Sequence, residues 1–250
     1  MRTYIKQLVD LVSDNFRPGM VVCEVGVRRG DTTKHYAPIV KAAGGQVIAI
    51  DWFAGSSDVH DPASWDDFKP DAESRAKARR VFIDNVELDR DCDGNPNAAW
   101  MFLLEGHSVE MAKRLGDKTL DICFIDAGHT YREVMADIAA YFPKVKNGGY
   151  LCGDDCEDIT LAGSFTPADL QTHYVNKGGK FVHPGVIQAV SDSFRGWELE
   201  IIPGPTWTPT PVWCLKKQRW MDIPRTQHEQ RQVQDDRGVQ RVRVAGHGAR

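Results

Sequence analysis

Short, continuously apolar runs recur along the chain: MVVCEVGV, QVIAID, WMFLLEG, LDICFID and YLCGDD. Between them lie segments whose apolar residues repeat at helical spacing. A strand with no polar face needs cover on both sides, and helices between strands supply it. A helix between two strands also makes them parallel, because a parallel pair needs a crossover connection. The alternation therefore predicts an α/β fold: a doubly wound, mostly parallel sheet with helices on both faces. In such sheets ligands bind beyond the carboxyl ends of the strands, near the point where strand order reverses. Function is to be sought in the residues just after each strand.

The helical segments are legible individually. Ile5, Leu8, Val9, Val12 and Phe16 mark a first helix, ended by Pro18-Gly19. Asp31 or Thr32 can cap a helix running to about Ala43, and a charged helix is expected from about Ala72 to Leu88. Val134, Ile138 and Phe142 share one face of YREVMADIAAYFPKV. Later come a helix near Pro184 to Phe194 and two apolar segments, WELEII and VWCLKK. One catalytic domain over 1–217 is expected, with an insert at 54–90 whose acidic, aromatic first part (Trp65, Phe68) is a candidate lid. Trp207 and Trp213 read as core or rim packing residues, with substrate stacking as the alternative.

The last segment differs. From Lys216 to Arg250 there are nine Lys and Arg against four Asp and Glu, in a chain of net charge −4. Residues 218–250 read as a basic, flexible tail. From Arg225 on, no aromatic residues interleave its charges, which argues against nucleic acid as a partner. No run approaches the roughly 18 apolar residues of a membrane span. Of six cysteines, Cys23, Cys123, Cys152 and Cys214 sit in strand-like runs and none forms a CxxC pair. Buried reduced thiols and a cytoplasmic setting follow, since the N-terminus lacks a signal peptide's apolar stretch. A homo-oligomer is left open.

Each strand end carries chemistry. After the first come Glu24, Gly26 and Gly30, where a dinucleotide fingerprint would put glycine in place of Glu24. Asp51 follows the second strand, placed to accept from both hydroxyls of a ribose. Glu105-Gly106-His107-Ser108 follows the third, either as a cap (Ser108) for the next helix or as a turn beside an adenine. Asp126 ends the fourth strand, and Asp154 and Asp155 end the fifth. On parallel neighbours about 4.8 Å apart, three carboxylates would crowd one spot. A divalent cation removes that conflict, and all-oxygen ligands suit magnesium, with calcium or manganese as alternatives. Thr130 and Glu133 form a capping-box pattern. His129 is left over by that structural reading and is a candidate general base.

With these residues in view, EVGVRRGDTT, VIAIDWF, LLEGHS and FIDAGHTYREVMADI…NGGYLCGDD resemble the class I S-adenosylmethionine-dependent methyltransferases. Within them the pattern is similar to the branch of macrocin-type sugar O-methyltransferases and cephalosporin hydroxylase-like proteins. The resemblance implies a Rossmann-like sheet of seven strands whose last strand is antiparallel. It implies that Glu24, Gly26 and Gly30 hold the methionine part of S-adenosylmethionine and that Asp51 holds its ribose. Trp52 and Glu105, Gly106, His107 and Ser108 would flank adenine, with Asp126 near the cofactor as well. Asp126, Asp154 and Asp155 would bind magnesium, with His129 as the catalytic base. The implied reaction is O-methylation of a hydroxyl on a sugar-containing or catechol-like small molecule. Two other readings stay open: a cofactor-binding module without methyl transfer, and a nicotinamide-dependent oxidoreductase, which Glu24 argues against.

Overall fold

The computed structural model describes residues 3–54, 71–86, 99–202, 211–221 and 242–244. Residues 55–70 of the expected lid, Trp207 and most of the tail lie outside them. In chain order the elements are α1 (Thr3–Asp14), β1 (Val21–Val25), α2 (Thr33–Ala42), β2 (Gln46–Asp51) and α3 (Ala72–Asn85). Next come β3 (Met101–Glu105), α4 (Ser108–Ala112), β4 (Leu120–Ile125), α5 (Tyr131–Tyr141) and β5 (Val145–Gly153). A hairpin of β6 (Val175–Lys177) and β7 (Lys180–Val182) precedes α6 (Pro184–Ser193), β8 (Leu199–Ile202), β9 (Val212–Lys216) and β10 (Val242–Val244).

The main sheet has the order β3-β2-β1-β4-β5-β9-β8-β10. Its strands are parallel except β9, which runs against both β5 and β8. The expected seven-stranded, doubly wound sheet is therefore present, and WELEII and VWCLKK supply β8 and the reversed β9. An eighth strand was not expected: β10 comes from the segment read as a flexible tail and pairs parallel with β8. Strand order reverses between β1 and β4, whose carboxyl ends lie side by side with Val25 opposite Ile125.

Both faces of the sheet are covered, as continuous apolar strands require. Leu8 and Val12 of α1, Tyr36 and Val40 of α2, and Phe82 and Ile83 of α3 pack with Val22, Val47 and Phe124 on one face. Val134 and Ile138 of α5 and Val186, Ile187 and Val190 of α6 pack with Cys23, Cys123 and Leu151 on the other. Each such side chain contributes about 1.5–3 kcal/mol when fully buried. The five described cysteines are buried and free, and Trp213 is a core residue. No described helix is long and apolar enough to cross a membrane.

Helix starts follow two different rules. The hydroxyl of Thr130 caps α5 and Glu133 closes a full capping box, as the sequence predicts. Thr32 occupies the cap position of α2 but makes no side-chain cap bond. At α4 the cap position belongs to His107, so Ser108 is not the cap; its hydroxyl is engaged elsewhere.

Candidate active site

A cavity of about 610 Å³ opens at the carboxyl ends of β1, β2 and β4, where the topology requires a ligand site. At its floor Gly26 has φ +90°, and a Cβ there would lie 1.9 Å from the carbonyl oxygen of Asp126. Only glycine lets the turns after β1 and β4 approach this closely. Glu24 faces the cavity from within β1 and is buried; Thr33 donates its hydroxyl proton to Oε2 at 2.7 Å. Burial raises its pKa to about 7, and the Thr33 hydrogen bond offsets part of the rise.

Asp51 is held by two backbone donors. Its Oδ2 accepts from the Arg28 N–H and its Oδ1 from the Phe53 N–H, both at 2.6 Å. Arg28 (φ 48°) and Phe53 (φ 55°) adopt left-handed backbone, which for such residues is strained and is kept where a site is rigidly set. The carboxylate is thereby fixed in the cavity wall. Beside it the rings of Trp52 and His107 lie 4.3 Å apart between centroids, forming an aromatic wall.

At the far end, side-chain ligand atoms of Asp126, His129, Asp154 and Asp155 all lie within 4.8 Å of one another. Burial, then the neighbouring acids, pushes Asp126 and Asp154 well above the usual carboxylate range. Asp155 goes the other way: burial works against its charge, but His183 and His129 outweigh it and hold its pKa at about 2. Asp155 has φ 56°, so its carboxylate is set in place by a strained turn. His129 Nε2 lies 2.9 Å from Asp155 Oδ2, and both ring nitrogens are shut off from solvent without a well-aligned hydrogen bond.

Two further histidines complete this end. His183, at the cap position of α6, has Nδ1 2.5 Å from Glu157 Oε1 and 3.6 Å from Asp155 Oδ1. Burial disfavours its charged form, but Asp155 and Glu157 outweigh that and raise its pKa. His173 lines the cavity edge-on to His129, with centroids 4.2 Å apart. Burial and its charged neighbours lower its pKa to about 3, so it is neutral.

Residues 23–156 match a methyltransferase domain. That is more than half of the chain. The chain belongs to the methyltransferase-domain family. Among solved structures, this methyltransferase is similar to the O-methyltransferase NovP, with 20% identity over 86% of this chain and 78% of that one and a TM-score of 0.52. It is also similar to an rRNA methylase from Streptococcus thermophilus, with 11% identity over 88% and 98% of the two chains and a TM-score of 0.51. Likeness at this identity shows the fold alone. A 49-residue match, 39% identical, links the methyltransferase to the uncharacterized protein R132 of Acanthamoeba polyphaga mimivirus. It covers 20% of this chain, which spans only 22% of that relative.

The cavity brings together Glu24, Gly26, Asp51, Trp52, Gly106, His107, Ser108, Asp126, His129, Asp154 and Asp155. Two residues expected at the cofactor, Glu105 and Gly30, are not among those that line the cavity. Glu105 does not line the cavity; Arg75 and Arg79 of α3 hold its carboxylate at 3.3 and 3.4 Å. Gly30 is packed against Phe82 and Val86 at the end of α3. Sequence reasoning missed His173, His183 and Asp137. The first two sit between β5 and α6, where no apolar run announces a site, and Asp137 is one polar residue on a helix face.

Proposed function

We propose that this methyltransferase takes its methyl group from S-adenosylmethionine and transfers it to a hydroxyl of a sugar-containing or catechol-like small molecule. In this reading Asp126, Asp154 and Asp155 hold a divalent cation, magnesium before calcium or manganese. One observation carries the reading: three carboxylates, Asp154 and Asp155 buried and Asp126 half-buried, converge at one end of a cavity whose wall presents Asp51 and the Trp52–His107 pair. The donor set fits a cation, because acids pushed up by burial and by one another are relieved by positive charge. Oxygen donors favour the hard ions.

When bound, the cofactor supplies a methyl group on a sulfonium, and the cation supplies a Lewis acid that makes a hydroxyl more acidic. The chain's own residues do the rest. Glu24 and the Gly26 turn receive the methionine part, and Asp51 accepts from the ribose hydroxyls. Trp52 and His107 flank the base. His129 takes the acceptor's proton. Alignment of acceptor and donor in such a site can be worth roughly 7–11 kcal/mol.

The experiment is transfer of labelled methyl from S-adenosylmethionine to a panel of sugars, vicinal diols and catechols, with and without chelator. Chelator, Asp154→Ala and Asp155→Ala should each reduce turnover to background. His129→Ala should lower kcat by roughly 10²–10⁴. Full turnover in chelator would remove the cation from the reaction and leave His129 as sole activator.

A further inference from the structure

Next to the acids of the cavity lies a second group of ligating atoms, which the proposed reaction does not use. Asp155, Glu157 and His183 each offer one, and these atoms lie within 4.8 Å of one another. Asp155 lines the cavity, whereas Glu157 and His183 do not. The side chains of His183 and Glu157 are only 14% and 8% exposed. Two segments meet here: Asp155 and Glu157 follow β5, and His183 holds the cap position of α6.

The group has too few protons for its acceptors. Glu157 Oε2 accepts from the backbone N–H of His183 at 3.1 Å, which fixes the carboxylate against the start of α6. Its Oε1 lies 2.5 Å from His183 Nδ1, and Asp155 Oδ1 lies 3.6 Å from that same nitrogen. One ring nitrogen carries at most one hydrogen, and Glu157 takes it. At 3.6 Å Asp155 Oδ1 is beyond hydrogen-bond distance. Its Oδ2 faces His129 Nε2 at 2.9 Å, yet both nitrogens of His129 are buried without a well-aligned hydrogen bond. Asp155 is thus a buried carboxylate, set by a strained turn at φ 56°, whose two oxygens face two imidazoles without a well-aligned bond to either.

A metal ion removes the shortage. Ligands about 2.0–2.2 Å from one ion stand roughly 3–3.5 Å apart, close to the spacing of His183 Nδ1 and Asp155 Oδ1. Binding displaces the Nδ1 proton to solvent and frees Glu157 Oε1 for the ion. One imidazole nitrogen with two carboxylates suits manganese or zinc better than magnesium.

We propose that Asp155, Glu157 and His183 bind a second divalent cation, of the first-row transition class, and that Asp155 is shared between it and the cation at Asp126 and Asp154. Only the sharing rests on the divalent-cation reading given above. The second ion ties the segment after β5 to the start of α6 and holds the Asp155 carboxylate through residues outside the cavity lining.

The test counts manganese(II) bound to the full chain, from the loss of the free ion's electron paramagnetic resonance signal. The wild-type protein should bind two ions. The doubly substituted Asp126→Asn, Asp154→Asn protein should keep one, and that ion should still raise Tm. Glu157→Gln, which preserves the shape of the side chain, should also keep one in an otherwise wild-type chain. Adding Glu157→Gln or His183→Gln to the double substitution should leave none. A single ion that is lost in the double substitution and untouched by Glu157→Gln and His183→Gln overturns the assignment and leaves the first cation standing. A single ion with the opposite behaviour upholds the second site and overturns the first. No bound ion in the wild-type protein overturns both.

Discussion

Asp137 and Glu24 are acids held away from water with pKa values near 7, well above the values of about 3.8 and 4.5 they have in solution. Between those limits the folded chain keeps protons that the unfolded chain has released. Stability therefore falls as pH rises from about 4 to 7 and levels off above. Asp137→Asn removes one of these penalties. Without ligand it should raise Tm at pH 8 by several degrees, and by less at pH 5, in a thermal scan at both pH values. An equal gain at both would mean that Asp137 is not held protonated. At this scale the sequence was only partly legible. Acids at strand tips stand out because an apolar run precedes them, as with Asp51, Asp126 and Asp154. Glu105 meets the same criterion and yet points away, since α3 presents Arg75 and Arg79 to it from far along the chain. Asp137 carries no such local mark.

The elements were more legible than the residues, because periodicity is a local property. QVIAID becomes β2 residue for residue, and the Thr130–Glu133 capping box starts α5 where predicted. Parallel pairing of β4 and β5, which brings Asp126 toward Asp154 and Asp155, follows from the helix between them. What the pattern could not give is the close approach of two turns. Gly26 reads as a permissive residue, but its necessity comes from Asp126, which lies a hundred positions away. Gly26→Ala should therefore cost more than about 3 kcal/mol, a loss of roughly 6–12 °C in Tm. The surviving folded protein should also show no ligand-induced shift. Near-native stability with intact binding would mean that the two turns can separate. The β6–β7 hairpin and His173 before it were invisible for a different reason: three-residue strands are too short to show alternation.

At the scale of the whole molecule, one sheet sets the site. Reversal of strand order between β1 and β4 opens a cavity there, and the cavity joins a wall formed by Asp51, Trp52 and His107 to a cluster of acids and histidines. The domain match places the chain among methyltransferases, and the cavity chemistry argues for S-adenosylmethionine as donor. The most direct measurement is the shift in Tm of the full chain with millimolar S-adenosylmethionine, beside nicotinamide dinucleotide and beside Asp51→Ala. S-adenosylmethionine should raise Tm by several degrees, nicotinamide dinucleotide should not, and Asp51→Ala should abolish the response. No shift with S-adenosylmethionine, or an equal shift with nicotinamide dinucleotide, would contradict the assignment.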